Sequence, residues 1–245
     1  MLCAAAALVA LAGCPGRRAV ESVEWPVMGT VAAFRCRDKS LLDRADGVRR
    51  VFRELASLLN AHNPDSELAR LAALDDAEIL ARCDARVRPC YAEAFRWRDA
   101  TERVFNPRYR GPETMDLGAI AKGFALDVAA EPLDGCDVLL DLGGNLKACG
   151  GVWRVGVLGG HDTLVLTNGM ACATSGTYYR GQHIKDGRTG GDITPRAASV
   201  TVVHPTSAMA ADALSTILFI LGREKGEAFL ATHAPEARAV WVESL

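Results

Sequence analysis

The sequence predicts a mixed α+β domain in which helices flank a mixed sheet. Three observations carry that reading. Strand-length apolar runs and helix-length amphipathic segments alternate, but without the regular beat of βαβ units. The texture changes after Met115: the chain before it is polar and helical, whereas after it glycine is frequent and the apolar runs shorten. Hydrophobic residues make up 49% of the 245 and charged residues 24%, ordinary globular usage in a chain long enough to bury its own core.

Met1 to Cys14 carry no charge and no breaker before Gly13. The stretch is shorter than the ~20 apolar residues that span a bilayer. It reads as the apolar part of a signal peptide, and Leu11-Ala12-Gly13-Cys14 resembles a bacterial lipobox, in which the cysteine sulfur takes the lipid. An apolar N-terminal helix buried in the fold is the alternative. Cys14-Pro15-Gly16-Arg17-Arg18 looks like a polar tether and favours the signal. The expected organisation is a signal segment over 1–14 and one domain over 15–245, lipid-anchored at Cys14 on the periplasmic side of a bacterial membrane.

The elements follow in order. Val31–Arg35 is a short strand. Asp46–Asn60 places Val48, Val51, Phe52, Leu55, Leu58 and Leu59 at helical spacing. His62–Asp65 breaks the chain, and Ser66 caps a short helix from Glu67. Asp75–Val104 is polar and helical with an interruption near Pro89, and Asn106–Pro112 is a loop. Ala121–Ala130 is a helix, and Val138–Leu140 a buried strand running into Gly143-Gly144. Trp153–Leu158 pairs with Leu164–Leu166 through a turn at Gly159–Asp162. Ser199–His204 is a strand, Ala208–Leu221 and Glu224–Thr232 are helices, and Ala239–Val242 closes the sheet.

Charge excludes one class of partner. With 28 Lys+Arg against 30 Asp+Glu, no global field recruits nucleic acid. Only five of the basic residues are lysine, so a lysine inside a motif carries information. Beyond Cys3 and Cys14 there are six cysteines, with no Cys-x-x-Cys and no histidine at zinc-finger spacing. They read as small buried hydrophobes, with room for one or two disulfides in an exported protein.

Candidate chemistry gathers in five places. In the Ala208–Leu221 helix, Asp212 and Thr216 are i and i+4 and share a face, with Ser215 beside it. A carboxylate and two hydroxyls among apolar neighbours need partners. A hard divalent cation such as Mg²⁺ is one. On spacing alone the plainer account is favoured, in which Asp212 caps or pairs with an arginine and Thr216 bonds its own helix. Asp116-Leu117-Gly118-Ala119-Ile120-Ala121-Lys122-Gly123 enters a helix, where free amides and Lys122 suit phosphate; a tight packing turn explains it equally well. Asp141–Asn145 offers paired glycines, either as a turn or as a bed for a flat ligand. Ala173–Gly176 and His183–Gly190 are polar stretches, and His183 is a candidate general base or a structural histidine.

Taken in order, these segments resemble the ApbE family, the FAD:protein FMN transferases. The resemblance rests on Met28-Gly29-Thr30, Ser66-Glu67-Leu68, Asp116–Gly123 with Asp127 after it, Leu142–Asn145, Ala173–Gly176, His183–Gly190, Ser199–Val203, and Ala211–Thr216 with Gly222 beyond. It implies an ApbE-like fold and a reaction in which a Thr or Ser hydroxyl of a target protein attacks the FMN-side phosphorus of FAD. AMP leaves, and FMN stays on the target as a phosphoester. It also implies Mg²⁺ at the pyrophosphate, held by Asp212, Ser215, Thr216 and the neighbourhood of Ala119. Met28, Asp116, Lys122 and Lys185 would line the FAD site, with His183 as general base and Lys122 as a second catalytic group. The expected partners are FAD, the target protein and, through the lipid, a membrane. The same site would serve an FAD pyrophosphatase or a non-catalytic flavin-binding lipoprotein. Self-flavinylation at Asp186–Gly190 is a remote further option.

One departure is clear. Between Phe105-Asn106-Pro107-Arg108 and Asp116 the family pattern has several tens of residues, and here there are few; Asn106 also replaces the usual Asp. The departure implies an adenine side that is open, differently built or degraded.

Overall fold

The structure is a computed structural model and describes residues 19–157, 162–176, 184–195 and 197–243. Cys14 and His183 lie outside the described residues.

The described residues open with a hairpin of β1 (Glu21–Val27) and β2 (Thr30–Cys36), followed by α1 (Ala45–Leu58), α2 (Glu67–Leu71), α3 (Asp76–Arg82), α4 (Arg88–Ala100) and α5 (Ala121–Ala130). Next come β3 (Val138–Leu142), β4 (Asn145–Ala148), β5 (Trp153–Gly156), β6 (Thr163–Leu166), β7 (Ala171–Gly176) and β8 (Ser199–His204). Helices α6 (Ala208–Leu221) and α7 (Arg223–His233) and strand β9 (Arg238–Val242) complete it. Seven strands form one antiparallel sheet in the order β1-β2-β3-β4-β7-β8-β9, while β5 and β6 pair as a separate hairpin. This is the α+β arrangement with flanking helices that the sequence predicts, with a sheet that is antiparallel throughout rather than mixed.

The sheet is covered on both faces. Phe34, Leu140, Ala173 and Val202 join the main core with α1, α5 and α6. Leu139, Leu146, Cys172 and Val203 point the other way, into a second apolar cluster with Trp153, Val155, Leu164 and Leu166 of the hairpin. Strands buried on both faces lose the apolar–polar alternation that marks a half-exposed strand. That is why β4 and the Ala173–Gly176 half of β7 read as a turn and a polar stretch rather than as strands. Strand β1 is also absent from the sequence reading, although Val23, Trp25 and Val27 alternate along Glu21–Val27, because Glu21, Glu24 and Pro26 dilute the apolar signal. The helical stretch is interrupted near Pro89 as expected: α3 ends at Arg82 and α4 begins at Arg88, with Pro89 in its first turn, where its missing N–H costs nothing.

Ser66 caps α2 as expected, its hydroxyl accepting from the Ala69 N–H at 3.1 Å. Cys36, Cys83, Cys90, Cys136, Cys149 and Cys172 are free thiols, all buried except the half-buried Cys136.

Helices α5 and α6 approach closely because Gly123 has no side chain: a Cβ there would lie 2.1 Å from the Ala208 carbonyl oxygen. Asp127 of α5 caps α6, accepting from the Ala208 N–H at 2.8 Å, the Met209 N–H at 2.9 Å and the Ser207 hydroxyl at 3.0 Å. Lys147 of β4 completes the joint, 2.9 Å from Asp127 and donating to the Thr206 carbonyl at 2.6 Å.

Candidate active site

Two tight turns end one half of the sheet. Val27 pairs with Thr30 and Leu142 with Asn145, so each hairpin turns on two residues. Both central residues of each turn have positive φ: Met28 +50° and Gly29 +68°, Gly143 +65° and Gly144 +92°. This twist suits the strands, and glycine adopts it freely. Met28 does not, so it is a strained residue at the edge of a cavity. Beneath the second turn, the buried Asp141 accepts from the Gly144 N–H at 3.0 Å and pairs with Arg35 at 2.9 Å. Burial pushes the Asp141 carboxyl up, against the pull of the Arg35 guanidinium.

A cavity of about 730 Å³ occupies the step between these turns, the end of β7, the start of α5 and the Asp212–Ile220 part of α6. Met28, Asp116, Ala119, Lys122, Lys185, Asp212 and Thr216 all line it. Asp116 braces its own loop: it accepts from the Gly118 N–H at 2.8 Å and the Tyr109 hydroxyl at 3.2 Å, with Arg110 at 3.3 Å. Lys185 bridges to Asp192 through backbone and ion pair. Asn106, the departure from the family pattern, donates from Nδ2 to the Gly187 carbonyl at 2.9 Å and so ties its loop to the 184–190 stretch.

The centre of the site is Asp212, only 4% exposed. Its Oδ2 accepts from the Gly123 N–H at 2.9 Å, and its Oδ1 lies 3.5 Å from the Lys122 ammonium. Lys122 also donates to the Gly118 carbonyl at 2.9 Å. The amide of Gly123 is therefore taken by protein rather than free for phosphate, unlike the expected open helix N-terminus. Ordinary helical geometry would send that N–H to the carbonyl four residues back, Ala119. Diverted to Asp212, it leaves the Ala119 carbonyl with no backbone donor among the described residues.

Thr216 stands one turn beyond Asp212, its Oγ1 3.3 Å from the Ser175 hydroxyl of β7. Ser215 is fully buried and turned inward, donating to the Asp212 carbonyl at 2.9 Å and meeting Ser175 at 2.9 Å. Its hydroxyl is thus occupied in joining α6 to β7. No cluster of three His, Cys, Asp or Glu that could hold a metal occurs among the described residues. What converges instead is one carboxylate with neutral oxygens: Asp212, Thr216 and the unclaimed Ala119 carbonyl. Such a donor set fits a hard cation that keeps water and phosphate ligands.

Sequence reasoning passed over Ser175 and Asn145. Both line the cavity, and the Asn145 Nδ2 is buried without a hydrogen-bond partner. Each lies inside a segment of interest, but neither residue type announces a role.

The family model described as ApbE family matches residues 109–241, more than half of the chain. The chain belongs to the ApbE family. Among relatives, it is 35% identical over 134 residues to a FAD:protein FMN transferase of Haemophilus influenzae, covering 45% of this chain and 38% of that protein. A FAD:protein FMN transferase of Klebsiella pneumoniae is 38% identical over 136 residues, covering 47% and 42%. The match thus spans about two fifths of the length of these curated relatives. In fold it is similar to the flavin transferase ApbE from Vibrio cholerae, with TM-score 0.72, 21% identity, and 93% of this chain and 95% of that one covered. The apo flavinyl transferase ApbE of Pseudomonas stutzeri gives TM-score 0.76 at 21% identity, covering 93% and 92%. The ApbE match begins at Tyr109, so it contains Asp116, Lys122, Asp212 and Thr216 and leaves Met28 outside.

Proposed function

We propose that the protein transfers the FMN moiety of FAD to a Thr or Ser hydroxyl of a target protein, with Mg²⁺, and releases AMP. The observation that supports this most is the Gly123–Asp212 hydrogen bond, which fixes a buried carboxylate and frees the Ala119 carbonyl beside Thr216 and Lys122. The relatives named FAD:protein FMN transferase support the same reading.

Asp212, Thr216 and the Ala119 carbonyl would hold the cation, and Ser215, proposed with them from the family pattern, would steady Asp212 from behind. Bound there, Mg²⁺ neutralises diphosphate charge and polarises phosphorus. Lys122 lends a second positive charge to the same oxygens. Met28, Asp116 and Lys185 wall the flavin nucleotide. His183 takes the proton from the attacking hydroxyl. Phosphoryl transfer asks little covalent chemistry of the protein, so positioning and charge supply most of the rate.

We also propose that Cys14 carries a lipid that holds the domain at the periplasmic face of a membrane. No helix among the described residues is long and apolar enough to cross one. Cys14→Ser should then move the protein from the membrane pellet to the soluble periplasmic fraction; retention in the pellet refutes the anchor.

The test of the activity is incubation of purified protein with FAD and Mg²⁺, with and without periplasmic extract. The expected result is AMP release and a fluorescent band that survives denaturing electrophoresis. AMP with free FMN and no labelled band would make it a pyrophosphatase. Bound flavin without AMP would make it a non-catalytic binder.

A further inference from the structure

Strand β7 outruns its neighbour. Its ladder with β4 ends at Leu146↔Cys172, whereas its ladder with β8 continues to Gly176↔Ser199. The β4–β7 register fixes which way the backbone points. The Ala148 N–H donates to the Met170 carbonyl at 2.9 Å, and in an antiparallel ladder every second residue directs both polar groups to the same neighbour. Met170, Cys172, Thr174 and Gly176 therefore face the β4 side, while Ala173 and Ser175 serve β8. At Thr174 no strand remains on that side among the described residues, because β4 begins only at Asn145, after the Gly143-Gly144 turn. Among the described residues no backbone group meets the N–H and C=O of Thr174 and Gly176 on that side, and both residues line the cavity.

An open edge of this kind is a template for an added strand. We infer that β7 from Thr174 to Gly176 docks the acceptor protein, whose Thr- or Ser-bearing segment adds to the sheet as a short antiparallel strand. This rests on the proposed transferase reading. The argument for that occupant is where the edge leads. Residues directly opposite each other in a sheet share a face. Ser175 shares the α6 face, its hydroxyl 3.3 Å from Thr216 and 2.9 Å from Ser215. An acceptor residue opposite Ser175 therefore points its hydroxyl at the face that carries Thr216 and Asp212. Its two flanking residues, opposite Thr174 and Gly176, supply the backbone hydrogen bonds and point to the other face, toward Val155 and Leu164. Antiparallel addition matches every other pairing in the sheet. In the step itself the acceptor oxygen forms a bond to the FMN-side phosphorus, the bond to the AMP phosphate oxygen breaks, and the hydroxyl proton passes to the base.

The test uses the whole protein with FAD, Mg²⁺ and a peptide library holding one fixed Thr with random flanks, followed by N-methylation of a labelled peptide. N-methylation of either residue flanking the Thr should cut labelling about tenfold, since each loses a backbone hydrogen bond and gains a clash. N-methylation of the Thr itself should leave labelling within about twofold. Thr174→Pro removes the N–H that faces the gap while keeping the residues that bond β8. It should lower the ratio of labelled peptide to AMP about tenfold, and Thr174→Val, which keeps the N–H, should not. Equal labelling of all methylated peptides, or AMP release with no library member labelled, overturns the docking mode. Absence of AMP altogether overturns the transferase reading and this inference with it.

Discussion

Asp127 on α5 and Asp212 on α6 are reciprocal caps: each accepts a hydrogen bond from the first turn of the other's helix. A carboxylate at a helix N-terminus is favourable, through both the unsatisfied amides and the helix dipole. Here the two interactions lock one interface from both ends. The same lock presents Asp212 and Lys122 to the cavity, so the helix pair and the site are built by one set of contacts.

Asp127→Ala should therefore destabilise the fold by about 2–4 kcal/mol, from loss of the cap and from the buried Lys147 left without its partner. Urea unfolding measures this as a lower midpoint. Adding Lys147→Met should recover part of the loss; a double variant no better than Asp127→Ala would show that the unpaired ammonium does not matter.

Two glycines in helices should behave oppositely. Gly123→Ala forces a methyl against the Ala208 backbone, which cannot yield as a side chain would, and should cost about 1–3 kcal/mol or more. Gly47 in α1 has nothing within 4 Å of its added Cβ. Gly47→Ala should raise stability by up to about 1 kcal/mol. Thermal melts of the two variants decide the matter, and a neutral Gly123→Ala would contradict the close approach of α5 and α6.

Asp212→Asn keeps an oxygen for the Gly123 N–H but removes the charge. Mg²⁺-dependent turnover should fall about 100-fold or more while the far-ultraviolet circular dichroism stays native. Thr216→Val removes a neutral ligand that water can replace, and should cost about tenfold. His183→Ala should slow transfer by about 10²-fold or more with FAD affinity retained, because a base acts on the attacking hydroxyl and not on the bound ground state. Wild-type turnover by Asp212→Asn at low Mg²⁺ would remove Asp212 from the site.

Thiol chemistry reports on the two cores. Burial pushes the Cys149 and Cys172 thiols up to about 12, so at about pH 8 almost none of either is thiolate. Iodoacetamide on the native protein should spare both and reach the half-buried Cys136 first, as read by peptide mass spectrometry. Rapid modification of Cys172 would mean that the β5–β6 hairpin does not cover the sheet.

Helices were more legible than strands. The Ala121–Ala130 and Ala208–Leu221 segments carry their limits in local signals: an apolar run, a Ser cap at 207, and Pro132 and Gly222 beyond their ends. The hidden strands β4 and β7 owe their conformation to pairing and two-sided burial, which no local pattern of Asn145–Ala148 or Ala171–Gly176 encodes. Within the candidate site, the i, i+4 spacing put Asp212 and Thr216 on one face but by itself favoured a structural role; the ordered family motifs made them candidates. The inward turn of Ser215 was invisible, because it depends on Ser175, forty residues away in sequence. The diversion of the Gly123 amide likewise needs two helices that only the fold brings together.

Strand β1 runs from Glu21 to Val27 and delivers Met28 to the cavity wall. With Cys14 lipidated as proposed, only fourteen peptide units join the membrane surface to that wall. A chain advances at most ~3.3–3.6 Å per residue, so the leash cannot exceed about 50 Å. On that proposal the cavity stays in a layer about 50 Å deep above the bilayer, and any acceptor, anchored or diffusing, has to bring its hydroxyl down into that layer.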